Sequence, residues 1–210
     1  MARPRKADQN GRDTGELIYD CAVDLMYERG FHGTSLRDVA KAVGVQMSTL
    51  YYYYNSKQAL LLFIMTRTTN ALSEMVRAAM KPGQTPIEQL ERAITAHVEF
   101  HAQRPKEARI AETELRSLEP ENLKEIVTIR DEYEEIFATA IKAGQICGDF
   151  GSADVRITVR AMLVALTDVA NWFKPDGRLT LDEVSATYRN LFLDGLSARV
   201  AAPLAPSQSA

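Results

Sequence analysis

This 210-residue chain has two cysteines, Cys21 and Cys147. They are too few and too far apart for a disulfide framework or a Cys-based metal site. Histidine is also scarce: His97 and His101 stand four apart on one expected helix, with Glu99 between them. A zinc-protease helix needs glutamate directly after the first histidine; here it is Val98, so that motif is absent. No apolar run approaches the eighteen or so residues that cross a bilayer, and nothing near the N-terminus resembles a secretory signal. A soluble cytoplasmic protein with no membrane partner is expected. Nucleophile–base motifs, phosphate-cradling glycine loops, internal repeats and strand-like alternation are missing too. The chain is expected to be no enzyme and to hold no metal or cofactor.

What is present is concentrated between Thr34 and Lys57, TSLRDVAKAVGVQMSTLYYYYNSK. Thr34 or Ser35 caps a helix over about Leu36 to Val43, with Asp38 three residues after Ser35 as an approximate capping box. Gly44 supplies a turn residue that tolerates positive φ. A second helix covers about Met47 to Tyr53, and Asn55 or Ser56 caps a third from Lys57. Two short helices around a glycine turn predict a helix-turn-helix, whose second helix enters the DNA major groove. Val39, Ala40, Val43, Val45 and Leu50 would hold the pair together. Gln46, Met47, Ser48 and Thr49 stand where base edges are reached. Tyr51, Tyr52, Tyr53 and Lys57 carry donors suited to phosphate oxygens.

The stretch from Ile18 to Leu61 resembles the N-terminal domain of TetR-type regulators. The resemblance is carried by Ala22, Glu28-Arg29-Gly30-Phe31, Thr34 to Ala40, Gly44-Val45, Leu50-Tyr51-Tyr52 and Ser56-Lys57. It implies an all-α, two-part homodimer that binds a palindromic double-stranded operator and leaves it when a small molecule occupies the second domain. It also implies that Thr34, Arg37, Gln46 to Thr49, Tyr51, Tyr53 and Lys57 face DNA; Ser35 joins this set. Gln46-Met47 replaces a Ser-Lys pair common in the family, and Tyr53-Tyr54 replaces His-Phe. The first change bears on the bases read, the second on phosphate contacts and packing.

The net charge of −3 suits a DNA binder only once it is divided along the chain. Residues 1–57 carry eight Lys/Arg and seven Asp/Glu, and Arg3, Arg5, Lys6 and Arg12 oppose Asp8 alone at the extreme N-terminus. Residues 1–12 therefore read as a disordered basic arm able to follow the DNA backbone or minor groove.

The chain is expected to comprise a helix-turn-helix head over 13–57, a helical effector-binding and dimerisation body over 58–199, and a disordered tail over 200–210, with about nine helices in all. In the body, helices are predicted from Lys57 to Met80, Pro86 to Gln103, Lys106 to Ser117, Pro120 to Ala143, Ala153 to Phe173, and from Leu181 onward. The last two are apolar on several sides and need more than one neighbour. A four-helix interface between two chains would use Val155, Val159, Leu163, Leu166, Leu181, Val184, Tyr188 and Leu191, and would set the recognition helices about 34–36 Å apart.

Effector chemistry is less sharply marked. His101 with His97 could line a polar pocket, while Arg109, Glu112 and Arg116 share one helix face, either as a salt-bridged surface or near an acidic ligand group. The segments Ala170 to Thr180 and Glu114 to Leu118 resemble a TetR subgroup governing fatty-acid and sterol catabolism, whose members commonly respond to acyl-CoA thioesters. Leu118, Phe137 and Met162 would then supply apolar lining, and Arg116, Arg130 or Lys174 would meet phosphates. Trp172 suits either a pocket or a dimer partner. Ligand between the central helices would push the Lys57–Met80 helix and change the spacing of the heads. An effector-independent DNA-binding regulator and a helical protein-binding adaptor are the alternatives.

Overall fold

The computed structural model describes residues 13–197. The expected basic arm, 1–12, and the tail, 200–210, lie outside them. The described chain is helical throughout, ordered as α1 (Thr14–Arg29), α2 (Leu36–Val43), α3 (Met47–Tyr53), α4 (Lys57–Met80), α5 (Pro86–Gln103), α6 (Pro105–Thr113), a 3-10 turn (Leu115–Ser117), α7 (Pro120–Cys147), α8 (Val155–Thr167), α9 (Val169–Trp172) and α10 (Leu181–Leu196).

Local chemistry sets most of these limits. Ser35–Asp38, Thr85–Glu88 and Thr180–Glu183 form reciprocal capping boxes at the starts of α2, α5 and α10. Ser56 and Asp154 cap α4 and α8 by accepting from Ala59 N and Ile157 N. Each such cap stabilises its helix by about 1 kcal/mol. Gly44 closes α2 in the left-handed region, at φ 78°, as only glycine does without strain.

The helices enclose two apolar clusters. One is built on Ile18, Ala22, Met26, Val39, Leu50 and the first turns of α4, and it takes in Ile110 of α6, Leu118, and Ile126 of α7. The other surrounds α5, which is packed by α4, α7, α8 and α10, through Leu90, Ile94, Val98, Phe137, Met162 and Leu166. The 24-residue α4 runs through both and, at 1.5 Å per residue, spans about 36 Å.

Three expected boundaries differ. Helix α7 does not stop before Gly144 but continues to Cys147, and Gly148 (φ 82°) is its true cap. Gly144 is tolerated inside the helix because the Phe150 ring folds back onto it and occupies the place of a β-carbon. The helix expected over Lys106 to Ser117 ends at Thr113, where Glu114 turns away and the chain tightens into the 3-10 turn. The helix expected over Ala153 to Phe173 is divided at Asp168, whose carbonyl and carboxylate accept from the backbone and side-chain amides of Asn171.

Gly144→Ala should lower stability by roughly 1–3 kcal/mol through overpacking against Phe150. A urea-unfolding midpoint unchanged from the native protein would contradict this packing.

Candidate functional site

Helix α3 presents its polar side outward. Gln46 and Ser48 are exposed, and the Gln46 side chain makes no capping bond. Tyr51 and Tyr52 are 54% and 74% exposed, and Arg37 on α2 is exposed with no partner among the described residues. Four consecutive residues sweep the full circumference of a helix, so the tyrosines cannot all face one way. Tyr53 is half-buried beside Gly15. Tyr54 is buried, its ring tilted against Phe63 at 5.3 Å, and burial pushes its phenol up to about 12. Met47 and Thr49 are half-buried, and Met47 packs against the head core.

The structure removes Thr34 from the exposed set: it is 2% exposed, and its hydroxyl is engaged with the carbonyls of Leu25 and Gly30. Lys57 is largely committed as well. Its ammonium donates to the carbonyls of Phe31 (2.8 Å) and Thr34 (2.9 Å) and lies 4.1 Å from the Phe31 ring centroid. Both residues brace the α1–α2 turn. Ser35 stays exposed, with its hydroxyl in the capping box.

The body holds a cavity of about 660 Å³. Thr68, Thr69 and Leu72 of α4, His97 and His101 of α5, and Ala108, Ala111 and Glu112 of α6 form one side. Arg130, Tyr133 and Glu134 of α7 face Arg160, Leu163, Val164 and Thr167 of α8, with Asp168, Asn171 and Tyr188 completing the wall. Its size falls in the usual range for small-molecule sites. The two histidine rings stack at 4.2 Å. His97 Nδ1 is 2.6 Å from the Tyr133 hydroxyl, and its Nε2 is 3.1 Å from Thr167 Oγ1. Desolvation drives His97 well below the usual histidine range and lowers His101 to about 4, so both are neutral near pH 7.

The cavity touches α4 and α6, two of the helices that reach the head. Arg130 reaches from α7 to the Ala111 carbonyl (2.7 Å) and the Glu112 carboxylate (2.9 Å), gripping α6. At the end of α6, Glu114 accepts from Phe31 N (3.1 Å) and Ser117 Oγ (2.7 Å), tying it to the α1–α2 turn. Lys106 pairs with Asp24 of α1 at 2.6 Å. On α4, Arg67 binds Glu16 through two bonds of 3.0 and 2.7 Å.

Residues 18–64 match the family described as bacterial regulatory proteins, tetR family, and residues 83–196 match the tetracyclin repressor-like C-terminal domain. The chain belongs to the TetR family. It is 27% identical over 200 residues to the HTH-type transcriptional repressor KstR2 of Rhodococcus jostii, covering 94% of this chain and 98% of that protein. It is 26% identical over 182 residues to the fatty acid metabolism regulator protein of Bacillus subtilis, covering 85% and 93%. The fold matches AibR, solved in complex with isovaleryl coenzyme A and operator DNA, with a TM-score of 0.78 and 24% identity over 85% of this chain and 97% of that one. TetR proteins are transcriptional regulators and not enzymes, and the fatty-acid regulator agrees with the resemblance to the lipid-catabolism subgroup.

Against this TetR frame, the residues expected at the effector site separate. His101 and Arg130 line the cavity. Phe137 stands behind it, its ring edge-on to those of His97 (6.0 Å) and Tyr133 (5.7 Å). Met162 is fully buried in the body core and Leu118 is buried in the head-side cluster, so neither forms the lining. Arg109 is exposed and lies over the Tyr27 ring, and Arg116 is exposed on the 3-10 turn. Trp172 is 43% exposed and edge-on to Phe173. None of these three reaches the cavity wall.

The expected interface residues separate too. Val159, Leu166 and Val184 are buried in the chain's own core, which takes one face of α8 and α10. Leu163 and Tyr188 line the cavity. Val155 and Leu181 are half-buried against the core. Only Leu191 of the set is well exposed, and it is joined by Ile157, Val164 and Trp172.

Thr68, Thr69, Tyr133, Arg160, Thr167 and Asn171 were not anticipated as lining. A signal existed: Thr68 and Thr69 fall in the stripe of α4 otherwise occupied by Leu60, Leu61, Ile64, Met65, Leu72 and Val76. His97 and His101 similarly interrupt the buried stripe of α5. Polar residues at core spacing mark where a core gives way to a polar cavity.

The histidines make stability pH-dependent. Their unfolded pKa lies near 6.5 and their folded values are lower, so below pH 6.5 the unfolded chain binds more protons. The favourable contribution is full above pH 6.5 and is lost as pH falls toward 4, at roughly 3 kcal/mol for His101. Urea unfolding at pH 7.5, 5.5 and 4.5 should show a falling midpoint, and His101→Gln should flatten that fall. A midpoint flat across this window would contradict buried neutral histidines.

Proposed function

We propose that this TetR protein is a homodimeric repressor that leaves a palindromic operator when a small-molecule effector with an apolar acyl chain, of the acyl-CoA thioester class, enters the α4–α8 cavity. The observation that carries the reading is the position of that cavity. Its walls include α4 and α6, and both helices are tied to the DNA-reading head through Arg67–Glu16, Lys106–Asp24 and Glu114–Phe31.

At the head, Arg37, Gln46, Ser48, Thr49, Tyr51 and Tyr52 form the DNA surface, with Met47 and Tyr53 at its edge. Dimerisation uses the outward side of α8, α9 and α10, where Ile157, Trp172 and Leu191 leave apolar area exposed and Val164 stands at the cavity rim. Covering these side chains in a dimer would remove that apolar area from water. In the cavity, Leu72, Ala108, Ala111 and Leu163 suit an acyl chain, while Arg130 and Arg160 are the cations available to phosphates. AibR, a protein of the same fold, has been solved in complex with isovaleryl coenzyme A and operator DNA, and a fatty acid metabolism regulator stands among the relatives.

Effector works by differential affinity for two arrangements of the heads. An anionic ligand that draws Arg130 from the Ala111 carbonyl and Glu112 frees the C-terminal end of α6, and Glu114 carries that movement to the α1–α2 turn. This route adds α6 to the displacement of α4. A regulator without effector would have a packed body, and the cavity weighs against that alternative.

Fluorescence anisotropy on labelled DNA from upstream of the protein's own gene tests the reading. Octanoyl-CoA should release bound protein. Arg37→Ala should weaken binding about tenfold and reduce the salt slope by about 1. Binding unmoved by a series of thioesters would sink the effector assignment and leave the DNA function. The Glu114→Met variant, which removes the acceptor for Phe31 N, should bind octanoyl-CoA as the native protein does, yet need several-fold more of it to release DNA. Unaltered release would remove α6 from the coupling route.

A further inference from the structure

We propose that the cavity recognises a neutral hydroxyl group on its effector through an acceptor–donor pair, His101 Nε2 and the Thr167 hydroxyl. The proposal rests on reading the cavity as the effector site, and it does not depend on the ligand being a thioester.

The hydrogen positions follow from the partners. His101 Nδ1 lies 2.9 Å from the His97 carbonyl oxygen, which can only accept, so Nδ1 carries the hydrogen. In a neutral imidazole, Nε2 is then a bare lone pair. His101 is 5% exposed, lines the cavity, and meets no donor for Nε2 among the described residues. Nε2 has no partner among these residues to compete for it, so a ligand in the cavity, or the water that ligand displaces, is what can pair it.

His97 settles the second half. A phenol is a better donor and a poorer acceptor than an aliphatic hydroxyl. Tyr133 therefore donates to His97 Nδ1 at 2.6 Å, and His97 Nε2–H donates to Thr167 Oγ1 at 3.1 Å. The hydrogen of Thr167 itself is left without an acceptor among the described residues, and Thr167 also lines the cavity. His101 and Thr167 line the same cavity, and His97, bonded to Thr167 and stacked on His101 at 4.2 Å, stands between them.

A ligand hydroxyl satisfies both groups, donating to His101 and accepting from Thr167. A ketone can use only Thr167. A carboxylate meets a lone pair with its own, against two histidines that burial keeps uncharged. A plain hydrocarbon chain leaves both groups unpaired. The preferred effector is therefore a hydroxylated acyl or alicyclic compound over its deoxygenated analogue.

The test is isothermal titration of the full chain with octanoyl-CoA, 3-hydroxyoctanoyl-CoA and 8-hydroxyoctanoyl-CoA, and with the ethyl esters of the same three acids. At least one hydroxylated member should bind about tenfold tighter than its parent. His101→Phe, which keeps an aromatic ring and removes the acceptor, should bring that ratio to within about twofold. Thr167→Val is the second variant should the first fail to fold, and it should also reduce the ratio. A hydroxyl preference confined to the esters would support the pair and overturn the thioester class. Equal affinity within both series, a ratio unchanged in a folded variant, or no binding by any of the six would overturn the hydroxyl assignment. Equal binding of all three thioesters would leave the thioester reading intact.

Discussion

Helix α5 has to be buried on almost every side, yet its buried stripe carries two imidazoles. Apolar packing cannot satisfy their nitrogens, so the surrounding helices supply Tyr133 and Thr167 to His97, and the helix backbone supplies a carbonyl to His101. A site of this kind cannot close like a hydrocarbon core, because each polar group left unpaired in a dry interior costs about 1–3 kcal/mol. The space that remains is bounded by small and polar residues, Thr68, Thr69, Ala108 and Ala111, where larger apolar side chains would have filled it. The cavity is thus a consequence of where polarity was placed on one helix.

That helix is central, so its cavity borders the elements that matter at a distance. Helix α4 is continuous from the head to the far side of the body, and α6 lies between the cavity and α1. The contacts joining them to the head are mixed in kind. The ion pairs Arg67–Glu16 and Lys106–Asp24 are substantially solvent-exposed, and such pairs contribute little to stability. The Glu114 bond to Phe31 N is better sheltered and sits at the turn that Thr34 and Lys57 also brace. A movement of α6 therefore acts on a turn already held by several specific bonds, and a held turn moves as a unit.

The sequence by itself determined the helix limits at α2 through α5 and the start of α10, because caps, Gly44 and Pro86 act within a turn of their own position and need no distant partner. It also determined the helix-turn-helix and with it the family. It misplaced limits set by remote atoms: Gly144 stays helical because of Phe150, α6 ends early where Glu114 turns to Phe31, and α8 breaks at an Asp168–Asn171 turn whose alternatives were equally open to a helix. Only the tertiary structure decided which way each side chain faces. Thr34 turned inward, Lys57 became a brace, and Val159, Leu166 and Val184 went to the chain's own core, leaving Ile157 and Val164 outside. A helix apolar on two sides does not state which side meets its own chain, and a cavity is space shared among residues of seven helices. Both are settled by packing, which depends on all the neighbours at once.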